Sequence, residues 1–160
     1  MELSNAQRTT LRNFIAADPV LSQFPNTSDG NFEIAARLNL DASPAFIVWK
    51  TSVQISDIMS NGFRWQDVDA LTAGKARIWD WMSRLGTIDP SKANIRQGIQ
   101  DAFGAGSAME IAILPHCKRN ATVAEKLFAN GTGSDASPAR MNDRAIGPIS
   151  YQEIEQARNG

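Results

Sequence analysis

The sequence predicts an all-α fold. It reads as one helical, bundle-like domain over residues 1–130, an extended arm at 131–149 and a short C-terminal helix at 150–160. Three observations predict it. Capping boxes and Asp-Pro or Ser-Pro starts recur along the chain. Apolar residues follow them at helical spacing. Sustained period-2 alternation is missing, and the 160 residues include one tyrosine.

Ser4 and Gln7 form the first box, each side chain placed to satisfy a free backbone N–H, and open a helix to about Ala17. Asp18-Pro19 restarts the chain as N-cap and first helical residue, for a short piece that Pro25-Asn26 ends. Asp29 is placed to cap a helix carrying Phe32, Ala35, Ala36 and Leu40. Ser43-Pro44 precedes the apolar run Ala45–Trp49, whose composition also suits a buried strand; the preceding cap predicts helix. Thr51 and Gln54 form a second box, with Asn61-Gly62 as the stop.

The clearest helix spans roughly 67–85. Leu71, Ile78, Met82 and Leu85 form its stripe, Asp80 and Arg84 pair at i,i+4, and Gly86 closes it. Asp89-Pro90 starts the next, with Ile95, Ile99, Ala102 and Phe103 on one side and Gly104 at its end. Ser107 with Glu110 opens a helix that Pro115 must stop or kink. Thr122 with Glu125 is a fourth box, unless His116–Ala129 is one continuous helix; Asn130-Gly131 stops either version.

Residues 131–149 are rich in Gly, Ser, Pro and Asp and carry no helical stripe, so they read as a flexible linker or as an arm. Met141, Ile146 and Ile149 give an arm apolar side chains to dock. Ser150 with Glu153 then caps a last helix bearing Tyr151, Ile154 and Ala157. A helix so short needs a body to pack on.

Composition excludes several classes. No stretch approaches the ~18 consecutive apolar residues of a membrane span, and MELSNAQRTT lacks the layout of a signal peptide. The single Cys117 permits no internal disulfide. A formal net charge of −1 gives no global attraction to nucleic acid.

Chemistry-bearing patterns are few. His116 is the only histidine, which excludes a two-histidine metal site, and the adjacent Cys117 does not converge with it on one ion. The same geometry disfavours a Cys–His nucleophile pair. Gly131-Thr132-Gly133-Ser134 lacks the following Lys-Ser/Thr of a phosphate loop, and Gly104-Ala105-Gly106 lacks the preceding strand of a dinucleotide site. No catalytic, cofactor or metal residues are assigned. Residues 54–73 allow a helix-turn-helix reading, but Asp67 and Asp69 at the start of the second helix would repel phosphates. Lys75, Arg77, Arg84, Lys92 and Arg96, and later Lys118, Arg119, Arg140 and Arg144, read mainly as solvated faces. Of the four tryptophans, Trp49 and Trp81 read as core. Trp79 lies off the main helical stripe and Trp65 sits in a short link, so these two are candidates for a subunit contact. With Met141, Ile146, Ile149, Tyr151 and Ile154 they make up the expected interface.

The stretch Phe46–Leu85, notably VWKTSVQISDIMSNGFRWQDVDALTAGKARIWDWM, resembles a small protein encoded among the virion structural genes of tailed bacteriophages. So does CKRNAT at 117–122, continuing through AEKLFANGTGSDASPA to SYQEIEQAR. The likeness runs from about residue 33 onward. It implies a head–tail connector, adaptor or neck subunit of the virion, assembled in the host bacterial cytoplasm. Such a subunit forms a homo-oligomeric ring that touches portal and tail proteins and lets DNA pass through its lumen. It implies no enzyme activity, cofactor or membrane. The alternatives are a tail-side component such as a tail terminator, or a small phage DNA-binding or regulatory protein. The arm reads ARMNDRAIGPIS, too charged to suggest that it adds a strand to a partner's sheet.

Overall fold

The computed structural model describes residues 3–60, 62–141 and 148–160. Its described residues are mostly helical, yet the fold is not all-α: three two-stranded sheets accompany the helices. The chain divides into two compact units, the first made of residues up to Phe46 together with those from Asn120 on, the second of Ile47–Arg119.

In the first unit, α1 (Asn5–Ala17) opens with the reciprocal Ser4/Gln7 box and buries Leu11 and Ile15. Asp18 ends it. The Asp18 carboxylate then accepts from the N–H groups of Val20 and Leu21, both at 2.8 Å, and so caps a single 3₁₀ turn at Leu21–Gln23. Helix α2 (Ser28–Leu38) is capped by Thr27, whose hydroxyl accepts from Gly30 N–H; Asp29 lies inside the first turn, where its charge favours the helix dipole. Gly30 passes under the carbonyl of Pro25 so closely that a Cβ would overlap it.

The second unit begins with β1 (Ile47–Trp49), where the sequence predicted helix. Strand pairing with a distant segment decides the ambiguous apolar run. Val53–Gln54 form β2 instead of ending a capping box, and α3 (Ile55–Ser60) follows, its first N–H donating to Gly86 O. The predicted 67–85 helix is interrupted. Helix α4 (Trp65–Asp69) ends at Ala70, and Thr72 takes up an extended N-cap conformation from which α5 (Ala73–Arg84) starts afresh. β3 (Thr87–Ile88) pairs antiparallel with β2, Val53 opposite Ile88. Asp89 spends its carboxylate on Ser91, so α6 (Ala93–Phe103) begins later than Asp89-Pro90 suggests. Ser107 caps α7 (Ala108–Ile113), while Glu110 reaches Gly106 N–H and Gln100 instead of closing the box. A 3₁₀ turn, Leu114–Cys117, leads into β4 (Lys118–Asn120), the partner of β1. Trp79, Met82, Ile99, Ala102, Met109, Ile113 and Cys117 centre this unit's core.

Back in the first unit, Thr122 and Glu125 make a complete capping box for α8 (Val123–Phe128), which is separate from the preceding 3₁₀ turn. β5 (Ala129–Asn130) and β6 (Arg140–Met141) form an antiparallel pair, so the start of the supposed arm turns back on its own unit. Ala139, Met141 and Ile149 are buried. The Ser150/Glu153 box opens α9 (Tyr151–Asn159), which lies against α1 and α2 and buries Ile154 and Ala157.

Candidate interaction surface

The expected interface residues separate sharply. Trp79 is core: it is 4% exposed, stacks on Phe63 with ring centres 5.6 Å apart, and meets Phe103 edge-on at 5.1 Å. Met141, Ile149 and Ile154 are buried within the first unit, so they are not surface side chains of this chain. Ile146 lies outside the described residues. Trp65 and Tyr151 are exposed, Trp65 by 61%.

Helix α5 explains the reversal at Trp79. The inward direction runs through Trp79 and Met82 because Phe63 and Phe103 supply an aromatic seat there. Trp81 then points outward, and so does Leu85 just past the helix end; they are 63% and 62% exposed and sit four residues apart. Arg77, one turn before Trp81, is also exposed, and Arg84 pairs with Asp80 at 2.9 Å on the surface. The sequence offered a signal for Trp81 and Leu85. Taking Trp79 as the inward direction places both on the opposite side, whereas the Leu71–Leu85 stripe places Leu85 inside.

The first unit carries a concave counterpart. Two open clefts of about 220 and 510 Å³ share Phe14, Asp18 and Val123. Leu21 and Leu38 line one, Lys126 and Leu127 the other. Val20, which also lines the smaller cleft, is exposed. These residues come from three separate stretches of chain, so no linear pattern marked them.

Among the described residues, reactive groups do not gather. Burial pushes the Cys117 thiol up to about 11 from 9.0, against the opposing pull of Lys50 and Lys118. A thiol in that state is a poor nucleophile at neutral pH. No cluster of His, Cys, Asp and Glu with metal-binding geometry occurs among the described residues, and no described helix is long and apolar enough to cross a membrane. The helix-turn-helix reading fails on size: α3 and α4 are six and five residues long. Arg96 departs from the solvated reading of the basic residues. Arg96 lies over the Trp49 ring at 4.8 Å and donates to the carbonyls of Pro90 and Ser91, so it serves the fold. Arg144 is outside the described residues.

Comparison with family models, curated proteins and solved structures gives no match to this chain.

Proposed function

We propose that this chain is a non-enzymatic structural subunit of a tailed-bacteriophage virion, a head–tail connector that joins copies of itself into a ring between portal and tail. The observation that carries the reading is the two-sided α5: Trp79 and Met82 fill the core while Trp81 and Leu85 stand in solvent. Covering a large apolar side chain contributes roughly 1.5–3 kcal/mol, and tryptophan is enriched among the residues that dominate interfaces. The sequence resemblance over 46–85 and 117–158 supplies the biological setting.

Two different surfaces, one convex and one concave, suit a heterologous contact, in which the α5 face of one copy enters the Phe14–Val123 cleft of the next. Repeated around an axis, such contacts close into a ring. Ala139, Met141 and Ile149, from the stretch read as an arm, are buried in their own unit, which leaves the contact between copies to the α5 face and the cleft. A net charge of −1 lets DNA move past such a ring without strong capture.

Multi-angle light scattering of the purified protein, alone and with portal and tail components, tests the proposal. A closed oligomer, or a defined complex with a portal, is the expected outcome. A monomer that joins neither overturns it.

A further inference from the structure

We infer that the first unit binds a phosphate group in the cleft formed by α1, α9 and the segment between α1 and α2. The cleft measures about 380 Å³ and is lined by Arg12, Ile15, Ala16, Ser22, Asn26 and Arg158. Arg12 and Arg158 line it from opposite ends of the sequence, and no Asp or Glu is among the described residues lining it.

Arg158 is held rigidly. It donates through Nη1 to Pro25 O at 3.1 Å and to Asn31 Oδ1 at 2.9 Å, and through Nη2 to Phe24 O at 2.9 Å. Asn31, 1% exposed, in turn donates to Asn26 Oδ1, and the Asn26 amide donates to Asn159 at 2.7 Å. All of these acceptors are neutral, so they orient the cation without cancelling its charge. The Nε–H of Arg158 has no acceptor among the described residues. Arg12, half-buried on α1, makes no hydrogen bond, ion pair or ring contact there either.

Two half-buried cations of like sign sharing one cleft repel each other, and an anion between them removes that cost. Forked guanidinium donors match the oxygens of phosphate, and Ser22 and Asn26 add neutral hydrogen-bonding groups from the segment between α1 and α2. Donors arriving from three segments suit a tetrahedral oxyanion better than a planar carboxylate. The volume exceeds that of the ion alone, leaving room for the remainder of a phosphorylated molecule. The shared chemistry is the phosphoryl group, borne either by a small phosphorylated ligand or by a DNA backbone.

The test is titration of the full chain with inorganic phosphate at constant ionic strength, following the arginine Nε–H resonances. A saturable shift is expected at Arg158. Arg12→Gln should weaken binding by about tenfold without lowering the unfolding midpoint in phosphate-free buffer, because that side chain has no favourable partner in the fold and its repulsion with Arg158 is removed. Arg77→Gln, on α5, should bind as the parent does. A second titration with a short duplex separates the sources: an Arg12-dependent shift assigns the site to backbone phosphate, and its absence assigns it to a small phosphorylated ligand. A response to phosphate no larger than that to sodium chloride overturns the inference. So does an Arg12→Gln protein that binds like the parent.

Discussion

Asn39, the residue that ends α2, holds both backbone groups of Ile149: its Oδ1 accepts from the Ile149 N–H at 2.8 Å and its Nδ2 donates to the Ile149 carbonyl at 2.9 Å. One side chain thus takes the place of a strand partner and fixes the chain just before α9. Asn39→Ala leaves two half-buried backbone groups without partners and should cost about 2–3 kcal/mol. The loss reads out as a lower urea midpoint and faster amide exchange in α9 than in α1.

Gly133 lies against the Phe46 ring with φ +66°, and a Cβ there would overlap ring carbons. Gly133→Ala combines this overlap with a left-handed backbone that alanine disfavours. A loss of about 2–3 kcal/mol is expected in chemical denaturation. Pairing it with Phe46→Leu should recover part of the loss, by opening space beneath the new methyl group.

Gly74 makes the opposite case. It sits in the first turn of α5, has helical company on both sides, and a Cβ there meets nothing within 4 Å. Gly74→Ala should raise stability by about 0.5–1 kcal/mol, since alanine loses less backbone freedom on folding.

The buried Cys117 predicts an alkaline limb in the stability profile. Its folded-state pKa of about 11 exceeds the ordinary 9.0, so between those values the unfolded chain releases its thiol proton first. The unfolded state then binds fewer protons than the folded one, and stability falls as pH rises from 9.0 towards 11. Cys117→Ala should flatten that limb in equilibrium unfolding measured over the same pH range. In the parent, alkylation of Cys117 at neutral pH should be slow until denaturant is added.

Trp81 and Leu85 provide the test of surface adhesion. The double variant Trp81→Glu, Leu85→Glu should abolish self-association in sedimentation velocity while shifting unfolding by no more than about 0.5 kcal/mol, as expected at exposed positions. A matching change at Trp79 would instead unfold the second unit, because that ring is core.

The features legible in the bare chain are the local ones. The boxes Ser4/Gln7, Thr122/Glu125 and Ser150/Glu153 form as read, because cap and partner lie three residues apart and close within one helical turn. Where the partner was remote, sequence reasoning reached its limit. Ile47–Trp49 became a strand through pairing with Lys118–Asn120, and Val53–Gln54 through pairing with Thr87–Ile88. The orientation of α5 was decided by Phe63 and Phe103, which exchanged the expected places of Trp79 and Leu85. Asn39 and Phe46 hold Ile149 and Gly133 of the glycine-rich stretch to their own unit, and the cleft lined by Arg12 and Arg158 draws on both ends of the sequence. Capping is settled by groups within one turn, whereas the facing of a helix, the pairing of a short strand and the lining of a cleft depend on side chains that only the folded chain brings together.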